Sequence, residues 1–176
     1  MRTKLKIEHE ISLAEHKEIT KLRNKCFPDA SRERSYFKQL PHFRMLVDDD
    51  GVLIGHLGVD HRIIRVGNTT ITIFGIVDLF VSESYQGNGV ATRLLEKVTE
   101  LAQKSKIDYL LLHALNGRLY LRNGFRVISP YLKSLWIYDF ENYGVGTERL
   151  DDRIYIKQIS DKPWPTGTVD LMGYLF

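Results

Sequence analysis

The residues best placed to do chemistry are Gln86-Gly87-Asn88-Gly89-Val90-Ala91. Small side chains at 87, 89 and 91 let backbone come close to a ligand, and an amphipathic run begins directly after them. The free amides of a helix N-terminus then converge there, which suits a phosphate or pyrophosphate. A dinucleotide fingerprint needs a third Gly where Thr92 stands and an acidic residue closing the next strand. Asp108 falls before that strand, and hairpins rather than βαβ units precede the loop, so that match is weak. No Gly-Lys-Ser/Thr follows, which excludes a Walker loop. Asp78 is the only charge in the apolar run Ile71–Val81. Unpaired burial of a carboxylate is expensive, so Asp78 faces solvent or has a partner. Cys26 continues an apolar helical face and reads as core. His56 and His61 are an odd number of residues apart on a strand, hence on opposite faces, which is poor metal geometry. The three Asp before Gly51 read as a solvated turn, and no metal is expected.

Several elements must position these groups. Ser12 and Glu15 form a capping box, and Ile19, Leu22 and Cys26 follow at helical spacing, giving a helix over about 12–26. A second short helix is expected over 31–40, between Pro28-Asp29 and Pro41. Phe43–Val47, Val52–Val66 and Thr69–Ser82 read as antiparallel strands joined by turns at Asp48–Gly51 and Gly67-Asn68. Val90, Leu94, Leu95, Val98, Leu101 and Ala102 share one face of a helix over about 88–104. Tyr109–Leu112 is a continuously apolar strand, Leu115–Arg122 a short helix stopped by Asn123-Gly124, and Phe125–Ile128 and Arg153–Ser160 are strands. Pro163-Trp164-Pro165 argues against regular structure in the tail. The order is β-α-α-β-β-β-α-β-α-β-β, one α/β domain over 1–176.

The 176 residues carry 25 Lys and Arg against 22 Asp and Glu, a formal charge of +3. That excess is small and dispersed, so nucleic acid is not an expected partner. No run approaches the length of a membrane span, Met1–Glu10 is no signal peptide, and one cysteine rules out an intrachain disulfide; a cytoplasmic location is the expectation.

On these residues the sequence resembles the GNAT superfamily of acyl-CoA-dependent N-acyltransferases. Gln86, Gly89 and Ala91 match its Gln/Arg-x-x-Gly-x-Gly/Ala motif, and Leu119-Tyr120-Leu121-Arg122-Asn123-Gly124-Phe125 is similar to its Leu-Tyr-x-x-x-Gly-Phe segment. His113 and Asn116 stand where the family often has Asn and Ala. The resemblance implies a mixed central sheet of about seven strands with antiparallel N-terminal strands, flanked by about four helices. It implies acetyl-CoA as co-substrate, held by Gln86, Gly87, Asn88, Gly89, Val90, Ala91 and Thr92, by the strand end at Leu79, Phe80 and Val81, and by Asn116 and Leu119. Tyr120 matches the family's general acid, and a phenol with a free pKa of about 10 suits protonation of a thiolate of about 8.5. Asp78 is the candidate base for the acceptor ammonium, the other reading being a core-edge carboxylate bonded to backbone.

A finer resemblance, to the aminoglycoside 2′-N-acetyltransferase branch, rests on Gly55-His56-Leu57-Gly58-Val59, Arg65-Val66-Gly67-Asn68 and Gly75-Ile76-Val77-Asp78. It implies an acceptor site formed by Asp78, by Asp151 and Asp152 ahead of the last strand, and by the chain end at Phe176. Asp139–Asp152 would then be an acidic loop facing an aminosugar or polyamine; a plain solvated loop is the alternative. Similarity to acyltransferases of chitooligosaccharides leaves a longer acyl chain open. The expected reaction moves acetyl to a primary amine of a small molecule by direct attack in a ternary complex. The rival is a non-enzymatic acyl-CoA-binding module. Aromatic residues in Tyr131–Phe140 and exposed strand ends make a homodimer an expectation.

Overall fold

The computed structural model describes residues 1–176. Two long strands, β3 (Val52–Val66) and β4 (Thr69–Val81), and helix α2 (Val90–Lys104) run through both of two compact units. The first unit comprises Met1–Val59 with Val77–Leu95, the second Asp60–Ile76 with Glu96–Phe176. The class is mixed α/β, as expected.

In the first unit, β1 (Arg2–Ile7) pairs antiparallel with β2 (Phe43–Asp49), from Arg2↔Asp48 to Ile7↔Phe43. Strand β2 pairs antiparallel with β3, from Phe43↔Val59 to Asp49↔Val52, with a register shift after Val47. Helix α1 (Leu13–Cys26) starts on the predicted capping box: the Glu15 amide donates to Ser12 Oγ at 3.2 Å, and the Ser12 amide donates to Glu15 Oε2 at 2.9 Å. Its apolar face places Ile19 and Leu22 against Leu46 and Phe80, with Ile11 alongside. The helix expected over 31–40 does not form; a 3₁₀ turn spans Pro28–Ala30 and bends follow. The reason is competition for its carbonyls. Arg44 donates to Ser35 O, Arg34 to Phe37 O and Asn24 to Arg32 O, each at 2.8 Å, so these oxygens are taken by side chains rather than by a helical ladder.

In the second unit the strand order is β6-β9-β5-β4-β3-β10-β7-β8. The added strands are β5 (Tyr109–His113), β6 (Arg126–Ile128), β7 (Tyr131–Tyr138), β8 (Glu141–Arg149), β9 (Ile154–Gln158) and β10 (Val169–Tyr174), with the short helix α3 at Arg118–Arg122. The core joins Ile64, Val66, Ile71 and Ile73 to Tyr109, Leu111, Val169 and Leu171. Strand β5 is buried from Tyr109 to Leu112, as its unbroken apolar run requires. Strand β10 lies between β3, antiparallel, and β7, parallel.

Ten strands and three α-helices thus replace about seven and four. Residues 131–149 form a hairpin turning at Asp139 and Phe140, both at positive φ, so most of the expected acidic loop is strand β8. The Pro-Trp-Pro tail is irregular only before residue 169; beyond it Val169 and Leu171 point into the core and complete a strand. No helix is long and apolar enough to cross a membrane.

Candidate functional site

Strand β4 leads into the glycine loop. The β4–β5 ladder runs from Ile73↔Tyr109 to Gly75↔Leu111 and stops, while β4 itself continues to Val81. Leu79, Phe80 and Val81 therefore carry an edge with no strand partner beyond β3. The Val81 carbonyl accepts from Gln86 Nε2 at 3.1 Å and from the Cys26 thiol at 3.5 Å, which ties the strand end to the loop. Burial and Glu83 push that thiol's pKa up, and Cys26 packs, partly buried, against the cluster of Ile19, Leu22, Leu46 and Phe80 rather than within it.

Gly87 and Gly89 have φ of +78° and +76°, and nothing lies within 4 Å of where a Cβ would stand on either. Only glycine adopts this conformation readily. The first helical bond of α2 runs from the Arg93 amide to Gly89 O at 2.9 Å, leaving the amides of Val90, Ala91 and Thr92 without intrahelical acceptors. Val90 is buried, while Gly87, Asn88 and Gly89 are exposed. The arrangement presents backbone donors and the positive end of a helix to open space, and it fits a diphosphate.

Asp78 lies inside β4 at φ +47°, a kink in an otherwise extended strand. Gly58 of β3 makes room for it, since a Cβ there would come within 2.7 Å of Val77 Cγ2. The Asp78 carboxylate is mostly buried and ion-paired: Arg23 Nε donates to Oδ2 at 3.1 Å. Arg23 is itself 2 % exposed, and it also donates to Ala30 O at 3.0 Å. The backbone carbonyl of Asp78 accepts from His56 Nδ1 at 2.7 Å. His56 is fully buried and stacked on Phe80, with centroids 4.6 Å apart. Arg44 lies 3.0 Å from His56 Nε2 and reaches Glu8 with two bonds of 2.6 and 2.8 Å. Arginine has only donors, so Nε2 accepts and the proton of a neutral imidazole sits on Nδ1. Burial, then the charge of Arg44, press the His56 pKa down to about 3. Arg23 and Arg44 belong to no motif, and the one signal is Arg44 as a charge between Phe43 and Met45; His56 stands within the segment Gly55-His56-Leu57-Gly58-Val59.

The remaining candidates lie in the second unit. Tyr120, on α3, packs its ring against Phe125 and Tyr155 with centroids 5.8 and 5.7 Å away. Burial and the neighbouring Tyr155 raise its pKa to about 12, so its phenol stays protonated through the neutral range. Asn116 Oδ1 accepts from the Arg118 amide at 3.1 Å, and Leu119 O accepts from Asn123 Nδ2 at 2.8 Å, so both brace the short helix. Asp151 and Asp152 sit in the turn between β8 and β9, where Asp151 pairs with Arg149 at 2.7 Å and the Asp152 carbonyl accepts from Tyr155 Oη at 3.2 Å. Phe176 lies over Gly75, whose missing Cβ leaves the space its ring fills. Arg62 stacks on Phe176 and Tyr174 at 4.6 and 3.9 Å, and Tyr174 Oη donates to Asp60 at 2.7 Å. No group of three or more His, Cys, Asp or Glu side chains could hold a metal ion.

Over its whole length the chain is similar to the GNAT-family N-acetyltransferase YhbS of Escherichia coli, solved with CoA: 19% identity, TM-score 0.63, 97% of this chain and 90% of that one. It is likewise similar to a GNAT-family acetyltransferase of Brucella melitensis solved with acetyl-CoA: 15% identity, TM-score 0.62, 96% and 94%. A GCN5-related N-acetyltransferase from Anabaena variabilis matches 73% of this chain at 17% identity and TM-score 0.59, and the chain spans only 33% of that larger protein. At these identities the likeness is one of fold. No curated protein matches the sequence. The model of the acetyltransferase (GNAT) domain matches residues 9–128, more than half of the sequence and including the glycine loop, the kinked strand and α3. The chain therefore belongs to the GNAT acetyltransferase domain family.

Proposed function

We propose that residues 1–176 act as a single cytoplasmic acyltransferase domain that transfers acetyl from acetyl-CoA to a primary amine of a small molecule, an aminosugar being the favoured class. The carrying observation is the pair of left-handed glycines that opens the amides of Val90, Ala91 and Thr92 to an anion at the start of α2. Family membership and the likeness to proteins crystallised with CoA and acetyl-CoA support the same donor. In this reading Gln86 to Thr92 hold the diphosphate, the unpartnered edge at Leu79, Phe80 and Val81 pairs with the amides of the donor's arm, and Asn116 and Leu119 complete the contact. The bound co-substrate supplies an activated acyl carbon and a thiolate leaving group.

The chain's own part is to move two protons. Asp78 takes one from the acceptor ammonium, so that nitrogen attacks with a free electron pair as the C–N bond forms and the C–S bond breaks. Tyr120 gives its phenolic proton to the departing sulfur, and the second proton that the acylated nitrogen sheds as it becomes an amide restores the phenol through solvent. The Arg23 contact engages Oδ2 of Asp78, and Oδ1 serves the acceptor. Asp151, Asp152 and Phe176 line the acceptor side, and two copies of the chain associate through exposed strand edges.

Two measurements test this. Thiol release from acetyl-CoA is expected with at least one of glucosamine, kanamycin and spermidine. Silence with all three, despite tight CoA binding, would favour a binding module without transfer chemistry. Ala91→Glu sets bulk and negative charge against the loop, and CoA affinity measured by calorimetry should fall at least ~100-fold. Unchanged affinity would refute the loop assignment.

A further inference from the structure

Both handles of Asp78 are gripped by buried groups from other elements. Its carboxylate meets Arg23 from α1, and its carbonyl meets His56 from β3, at the one residue of β4 with positive φ. Aspartate visits that conformation more readily than most residues, yet inside a strand it is uncommon and persists where surrounding contacts hold it. We propose that His56 is a positioning residue, whose Nδ1–H holds the Asp78 carbonyl and thereby fixes the kink that presents the Asp78 carboxylate. The inference rests on the reading of Asp78 as the base.

The ring is itself held at both nitrogens and on one face. Phe80, two residues past the kink, stacks on its face at an interplanar angle of 11°. Arg44 fixes the tautomer from behind, because a guanidinium offers Nε2 only donors and so leaves the proton on Nδ1. Glu8 holds Arg44 with two bonds, and Ser35 O accepts a third at 2.8 Å. The charged groups that act on the imidazole are thus Arg44, held by its partner Glu8, and Arg23. The chain Glu8–Arg44–His56–Asp78 runs from the end of β1 to the centre of the candidate site without leaving the first unit. A histidine kept merely to fill the core also needs both ring nitrogens satisfied, but it has no need to bond the strained residue itself.

His56→Leu removes the donor at similar volume, whereas His56→Asn keeps an N–H where Nδ1 stands. In a crystal structure of His56→Leu, Asp78 should relax to an extended strand conformation, while His56→Asn keeps its positive φ. With acetyl-CoA and the best acceptor among glucosamine, kanamycin and spermidine, kcat of His56→Leu should fall ~10–100-fold with CoA affinity unchanged, and His56→Asn should recover most of it. The loss should shrink at pH 9, where more of the acceptor amine is already neutral and the base matters less. Asp78→Asn, assayed beside them, should also lose turnover, and adding His56→Leu to it should cost under ~2-fold more, because both act through one carboxylate. An unchanged kink in His56→Leu, or equal loss in His56→Leu and His56→Asn, would overturn the positioning role. Full activity of Asp78→Asn would instead overturn the base assignment, leaving the structural arm to judge His56 by itself.

Discussion

Acidification should destabilise this protein through His56 before its carboxylates titrate. In the folded chain that imidazole stays neutral down to about 3, whereas an ordinary histidine takes up a proton near 6.5. Between those values the unfolded state binds a proton that the folded state refuses, so stability falls as pH falls. Each pH unit in the window is worth about 1.4 kcal/mol, giving roughly 2 kcal/mol lost at pH 5. For a chain of this size that corresponds to about 4–8 °C in melting temperature. The assay is urea unfolding followed by far-UV circular dichroism from pH 7.5 to 5, for the wild type and for His56→Asn. The variant cannot titrate at this position, so the difference between the two curves isolates the one ring. It should narrow by about 2 kcal/mol as the pH drops. Parallel curves would show that His56 ionises alike in both states, and the buried contact with Arg44 would then not hold in solution.

Tyr120→Phe should cut kcat/KM by roughly 10²–10⁴ with CoA affinity intact, read by thiol release and calorimetry, since only the phenolic proton is lost from a packed ring. Gly75→Ala should displace the Phe176 ring from its seat and lower stability by about 1–3 kcal/mol, and an unaltered melting temperature would show that the ring does not occupy that space. Ser12→Ala breaks the capping box of α1 and should cost about 1 kcal/mol in urea unfolding.

What could be read in advance divides along physical lines. The capping box, the antiparallel strands through Val81 and the apolar face of α2 are set by short-range chemistry, and they appear where periodicity puts them. The glycine loop was legible because left-handed backbone leaves its mark in composition. The segment 31–40 was not, because its fate lies partly with distant side chains that capture its carbonyls, Arg44 of β2 at Ser35 and Asn24 of α1 at Arg32. Strand β10 hid for a related reason, its partners β3 and β7 being supplied by distant sequence, while β8, though joined to β7 by a tight turn, is exposed along almost its whole length, so no alternation marks it. At Asp78, sequence alone narrowed the choice to a solvated or a paired carboxylate. It could not foresee a kink and a buried arginine, since both arise from residues more than twenty positions away.

Strand β10 carries a kinetic consequence. Val169 meets Val66 across a chain separation of roughly a hundred residues, a closure whose entropy must be lost before the contact can form. Until it docks, β3 and β7 each show a bare edge in the middle of what becomes one ladder. Folding of that half should be slow, and its late intermediates should be sticky, joining edge to edge with other unfinished copies at high concentration. Refolding yield should therefore fall steeply with protein concentration, and a small excess of a holding chaperone should restore it.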